Sequence, residues 1–216
     1  RGKQTLQVVL REASTTLDEV NIKGEKIQSD QIQELKTKDM KMTPSANGNG
    51  VESLVQQQAG VSTHDELSSQ YNVRGGAFDE NSVYINNVEV FRPFLVRSGQ
   101  QEGLSVINPY MVDKIGFSTG GYAAKYGDKM SSALDITYKT LKAKSKKVEG
   151  SLAASLLGAD AYIGLGTQKL SWLNSVRYKT TSYLLGSMET KGEYKPNYLD
   201  YQTYLSYQPN KRWKLD

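Results

Sequence analysis

The last third of the chain alternates. Val148, Gly150, Leu152, Ala154 and Leu156 fall on one side of an extended run, with Glu149, Ser151, Ala153 and Ser155 on the other. Ala159, Ala161, Ile163 and Leu165 then oppose Asp160, Tyr162, Gly164 and Gly166. A third run sets Leu170, Trp172, Val176 and Tyr178 against Ser171, Ser175, Arg177 and Lys179, and there Leu173 and Asn174 break the rule. A fourth sets Leu199, Tyr201, Leu205 and Tyr207 against Asp200, Gln202, Tyr204 and Ser206, and Trp213 and Leu215 begin a fifth. Period two predicts strands with one apolar and one polar face. The links "GTQK" and "QPNKR" are tight, whereas 181–197 is a long polar loop at the opposite end. Strands of about ten residues, with aromatic enrichment and short turns opposite long loops, are the signature of an outer-membrane barrel. A soluble antiparallel sheet with one wet face fits the same pattern.

Upstream the texture is mixed. Residues 28–40 predict a helix with Ile32 and Leu35 on one face. The loop "MTPSANGNG" follows, then a second short helix capped by Asn49, with Val51, Leu54 and Val55 apolar and Gly60 as its stop. "YNVRGG" (71–76) ends a strand-like run in an arginine and two glycines, which suits a backbone that turns or approaches something closely. "SVYINNVEVF" predicts a hairpin, because asparagine tolerates the positive φ of a type I′ turn. "INPYMVDKIGF" predicts a short helix capped by Asn108 with Pro109 first. "DKIGFSTGG" and "SSALDITYK" predict two strands around a glycine-rich turn. The organisation expected is therefore 1–27 as the end of a preceding domain plus a linker, 28–140 as a small mixed α/β unit, 141–147 as a basic linker ("TLKAKSKK" begins at Thr140), and 148–216 as four to five strands.

Composition sharpens this only in part. Eight of the 14 tyrosines lie after Thr140, which supports a boundary there. The net charge of +4 permits an anionic partner without demanding one. The chain has no cysteine, so disulfides and thiolate metal sites are excluded. No run reaches the ~18 apolar residues of a membrane helix, but barrel strands would not show one. The start at Arg1 without a leader is read as processed or trimmed.

Enzyme chemistry finds no support. His64 is the only histidine and cysteine is absent, so no Cys-His centre or cysteine-histidine zinc site can be assembled; His64 in "STHDEL" reads as a solvated loop residue, and no catalytic or metal residue is assigned. "GFSTGGY" lacks dinucleotide-binding spacing, and "FDEN" lacks that of a calcium loop. A single "RGG" between β-rich runs and the lysines of the linker are not a nucleic-acid signal. No cofactor is expected.

The order of these elements resembles the TonB-dependent outer-membrane receptors. "YNVRGG" stands where the family's plug has "IRG", and "VYINNVEV" resembles its "v.iDGv.v" hairpin. "MVDKIGFSTGGYAAKYGDKMSSALDITYK" is similar to its closing segment, with Ile115, Gly120 or Gly121, Tyr126, Gly127, Ile136 and Lys139 on the pattern. "MTPSANGNGVESLVQQQAGV" is also typical. The spellings "VRG" and "NN" depart from the family's, and "SSALD" stands where a second glycine pair is common. The resemblance covers roughly 17–139 as plug, and the strands after Val148 fit the start of the barrel. It implies an α+β plug, a small mixed sheet with short helices, followed by the first antiparallel strands of a transmembrane β-barrel of about 22 strands. The chain would be an N-terminal piece of a longer protein.

The resemblance further implies an active-transport receptor in the outer membrane, its N-terminal segment facing the periplasm. It would bind a scarce large solute (siderophore, corrinoid, oligosaccharide or peptide) and import it when TonB, driven by the proton gradient, pulls on the plug. The box gripped by TonB would be Leu17, Asp18, Glu19, Val20, Asn21 and Ile22, adding as a strand to its partner; an ordinary linker is the alternative. Arg74, with Gly75 and Gly76, would meet acidic residues of the barrel wall; pairing within the plug or facing water are the alternatives. Solute contacts would come from Phe78, Asp79, Phe91, Arg92, Phe94, Arg97 and Tyr122, for which a partly folded core is the duller explanation. Outer-membrane lipid and a surface lipoprotein are further partners implied, and nucleic acid is not. Two other classes stand beside this reading: an exported β-rich adhesion or binding module without transport activity, and a soluble ligand-binding module.

Overall fold

The computed structural model describes Gly2 and residues 32–43, 50–63, 68–94, 105–142, 147–156, 158–180 and 197–216. In chain order the strands and helix are β1 (Gln33–Leu35), α1 (Gly50–Gln56), β2 (Val61–Ser62), β3 (Asn72–Val73), β4 (Asn81–Ile85), β5 (Val88–Glu89), β6 (Val112–Ser118) and β7 (Ser132–Tyr138). Then come the longer β8 (Lys147–Ser155), β9 (Gly158–Gly166), β10 (Leu170–Thr180) and β11 (Asn197–Tyr207).

The first part is a mixed sheet ordered β1-β6-β7-β4-β5, with β2 and β3 paired beside it. Only β4 and β7 run parallel. Here the helix expected over 28–40 is overturned in its described part, residues 32–40. Residues 33–35 are strand, and only Asp39–Lys41 forms a single 3₁₀ turn. Helix propensities differ by at most ~0.7 kcal/mol per ordinary residue. Burying Leu35 opposite Ile115 contributes about 1.5–3 kcal/mol and satisfies the edge of β6 as well. The helix expected at 108–111 is also absent: Met111 N–H reaches the Asn108 carbonyl at 3.1 Å and Tyr110 N–H reaches Asn108 Oδ1 at 3.0 Å, which makes a turn.

The hairpin is as expected. Asn86 and Asn87 take φ of 51° and 65°, and Ile85 pairs with Val88. Helix α1 forms as well, and Val51, Leu54 and Val55 bury it against Val83, Ile115 and Leu134. Its cap, Asn49, lies outside the described residues.

The second part is an antiparallel sheet ordered β8-β9-β10-β11, continued by paired backbone hydrogen bonds between Tyr207 and Leu215. Its two faces differ in kind. One exposes Leu152 (83%), Leu199 (77%), Trp172, Val176, Tyr201 and Leu205. The other buries Ser171, Ser175, Arg177, Lys179 and Ser206, with Ser175 and Arg177 hydrogen-bonded to the first part. A water-soluble sheet would do the reverse. Strand β10 runs through Leu173 and Asn174 without a register break. Leu173 keeps its place on the inner face, where Met111, Leu141 and Tyr162 cover it.

Candidate functional site

Two features stand out where the mixed sheet meets the β8–β11 sheet, called the wall from here on: the seam between them and a cavity beside it.

The seam is built by the inner face of β10 and β11. In register, Arg177 lies between Asp160 on β9 and Asp200 on β11. Its Nε and Nη2 donate to Asp200 Oδ2 at 2.9 and 2.5 Å. Its remaining donors cross the seam: Nη1 to the Ile107 carbonyl at 3.1 Å and Nη2 to the Ser105 carbonyl at 3.0 Å. The planar fork thus satisfies a carboxylate and two backbone acceptors at once. Lys179 takes the other carboxylate, Asp160, at 3.8 Å. Around this clasp, Asn108 Nδ2 donates to Ser175 Oγ at 2.6 Å and Gln202 Nε2 to the Val106 carbonyl at 2.6 Å. Nearer the short-turn end of the strands, the Leu141 amide donates to Ser171 Oγ at 2.9 Å. There a Cβ on Gly166 would stand 2.2 Å from the Leu141 carbonyl oxygen, so glycine is what lets the linker lie flat on the wall.

The cavity holds about 310 Å³. Tyr71, Phe78, Phe91, Pro93, Phe94 and Ile107 supply apolar walls, and Glu52, Asp79, Arg92 and Lys129 supply charges. The rings of Phe78 and Phe94 meet at 5.9 Å. Burial pushes the Glu52 carboxyl above its ordinary value, against the pull of the Ser105 hydroxyl and Arg177. Burial, helped by Glu52, pushes the Tyr71 phenol up as well. Among the described residues its hydroxyl is buried without a hydrogen bond. Ile107 belongs to both features: its side chain lines the cavity and its carbonyl is held by Arg177.

Of the residues singled out for the solute, Phe78, Asp79, Phe91, Arg92 and Phe94 all line this one cavity. Tyr122 does not; it packs against Tyr126 and donates to the Lys129 carbonyl at 2.5 Å. Arg97 and the box Leu17–Ile22 lie outside the described residues. Arg74 sits just past β3, exposed, at φ 51°, followed by Gly75 at 82°. Gly76 N–H closes that turn on the Val73 carbonyl at 2.9 Å. Among the described residues Arg74 forms no ion pair. The close approach at Gly76 is to Ser131 and Glu80 of the same sheet unit.

Sequence reasoning missed Glu52 and Arg177. A carboxylate between Val51 and Leu54 on a short apolar helix was a legible signal for the first. For the second, the signal was an arginine facing two aspartates, and that needs the strand register. Among the described residues no three acidic or histidine side chains gather as metal ligands.

Residues 25–133 match the model of the TonB-dependent receptor plug domain. No curated protein matches the chain. Among solved structures, the siderophore receptor PirA from Acinetobacter baumannii superposes with a TM-score of 0.58 at 17% identity, over 85% of this chain and 30% of that one. A mutant of the ferric enterobactin receptor PfeA from Pseudomonas aeruginosa gives 0.56 at 17%, over 85% and 31%. The copper transporter OprC gives 0.57 at 12%, over 84% and 28%. The chain thus spans under a third of the length of these receptors, and the likeness at such identities is one of fold.

Proposed function

The chain belongs to the TonB-dependent receptor plug domain family, and from that premise we propose that it is the plug-bearing part of an outer-membrane receptor and importer. The observation that carries this is the seam. A folded α+β unit is clasped by Arg177 onto the polar face of strands whose opposite face exposes leucine, tryptophan and tyrosine. Such a sheet needs lipid outside and a filled lumen inside.

In this reading the solute, a scarce large molecule, binds at the cell surface over the cavity lined by Phe78, Phe91 and Phe94. The segment before the plug faces the periplasm, where Leu17–Ile22 is the box that TonB pairs with as an added strand. Pulling on it, powered by the proton gradient, rearranges the plug and opens a path. The divisions are 1–27, 28–140, 141–147 and 148–216. Arg74 meets an acidic residue of wall strands beyond Asp216, and a surface lipoprotein is a further partner.

Detergent-extracted outer membranes probed with an antibody to this chain test the barrel. A band far above 24.0 kDa whose mobility shifts on boiling is expected. A soluble band of 24.0 kDa without a shift would mean an exported β-rich binding module instead. Deleting Leu17–Ile22 from the full receptor should abolish pull-down of TonB and leave the heat shift intact.

A further inference from the structure

We infer that the cavity beside the clasp takes an apolar residue of a peptide, an assignment that rests on the receptor reading above. Three observations narrow the chemistry.

The first is charge. Asp79 and Lys129 stand among the lining residues, and neither forms an ion pair among the described residues. Burial favours the neutral form of Glu52, so Asp79 stands as the lining's carboxylate beside the cations Arg92 and Lys129, and a ligand that fits has both a cationic and an anionic end. A zwitterion matches it: an ammonium to Asp79 and a carboxylate to Lys129.

The second is shape. Phe78, Phe91, Pro93 and Phe94 enclose a space of about 310 Å³. That is near the lower end of small-ligand sites, which run from roughly 300 Å³. It suits one apolar or aromatic side chain with its flanking peptide groups rather than a macrocycle.

The third is an orphan donor. Tyr71 is 5% exposed, lines the cavity, and its hydroxyl makes no hydrogen bond among the described residues. Buried polar groups in native proteins are nearly always paired, so a lone hydroxyl marks the place of a missing partner. A peptide carbonyl supplies the acceptor. Glu52, also buried and lining the cavity, supplies an acceptor for the neighbouring amide N–H. The ladder of alternating donors and acceptors on a peptide is the chemistry that these two groups complement.

The probe is the zwitterionic tripeptide Ala-Phe-Ala, titrated by calorimetry into the full-length receptor in detergent. Its N-acetylated, C-amidated form and a ferric tris-catecholate serve as comparisons. Saturable binding of the zwitterion is expected, weakened about two- to tenfold by Tyr71→Phe. Phe78→Ala should weaken it about tenfold or more. Blocking both ends should weaken it too, and Asp79→Asn should not weaken the blocked form further. Tyr71→Phe keeps shape and packing, so folding does not confound it. If the ferric tris-catecholate binds and the tripeptide does not, the peptide assignment falls while the receptor reading stands. If the tripeptide binds equally to wild type, Tyr71→Phe and Phe78→Ala, the cavity is not its site and the inference is likewise overturned. Loss of the heat-modifiable barrel band would instead sink the receptor reading itself.

Discussion

The guanidinium of Arg177, on the wall, donates at 3.1 Å to the carbonyl of Ile107, on the plug. Arg177 is 1% exposed, and its charge is met by Asp200 at 2.5 Å. Removing one member of a buried pair leaves the other uncompensated, at about 3–5 kcal/mol. Arg177→Ala should therefore loosen the plug from the wall. Limited proteolysis of the full receptor should cut within 105–111 at a much higher rate, with the barrel band unchanged. Arg177→Lys should rescue only partly, because an ammonium lacks the fork that spans Asp200 and two carbonyls. Equal protease resistance of Arg177→Ala and wild type would remove the clasp from the account.

Glu52 makes plug stability depend on pH. Burial holds its carboxyl above the ordinary 4.5 in the folded chain. Its contribution is whole below pH 4.5, where folded and unfolded chains both hold the proton. It is lost as pH climbs through the raised folded value. Glu52→Gln keeps the shape and cannot ionise. The variant's plug should match wild type at pH 4 and exceed it at pH 8, as read by amide hydrogen exchange of α1. A wild type that gains on the variant as pH rises would reverse the assignment.

Gly166 and Gly150 lie on neighbouring wall strands and should respond oppositely to alanine. At Gly166 the new Cβ meets the Leu141 carbonyl oxygen at 2.2 Å, backbone that cannot step aside. At Gly150 the nearest atom is the Tyr162 carbonyl oxygen at 3.4 Å. Gly166→Ala should cost roughly 1–3 kcal/mol by overpacking. Gly150→Ala should be neutral or gain up to about 1 kcal/mol from reduced chain entropy. Thermal melts of the receptor in detergent would separate the two.

The two asparagines of the β4–β5 turn share a backbone conformation but not a role. Asn86 Oδ1 accepts the Tyr138 amide at 2.8 Å, tying the turn to β7. Among the described residues, no side-chain hydrogen bond is seen for Asn87. Asn87→Gly should therefore fall within about 0.5 kcal/mol of wild type, since glycine adopts positive φ freely. Asn86→Gly should lose about 1 kcal/mol with that bond. Exchange protection at the Tyr138 amide reads the difference directly.

Local chemistry in the sequence determined the strand faces of the wall, the Asn-Asn hairpin and helix α1. Period-two alternation, positive-φ tolerance and an apolar helical stripe act within a few residues and need no partner. The gathering of Phe78, Asp79, Phe91, Arg92 and Phe94 was legible too, because they flank one short hairpin. What only the tertiary structure decided involves a partner distant in sequence. Residues 33–35 became strand because β6 offered an open edge and Ile115 a place for Leu35. Leu173 breaks the polar pattern of its face because the plug, not water, covers it there. Arg177 looked like one more polar wall residue until register set it between Asp160 and Asp200 and packing brought it to Ser105 and Ile107, some seventy positions away. A buried charge is chosen by where its partners fold, and that choice is made by the whole chain.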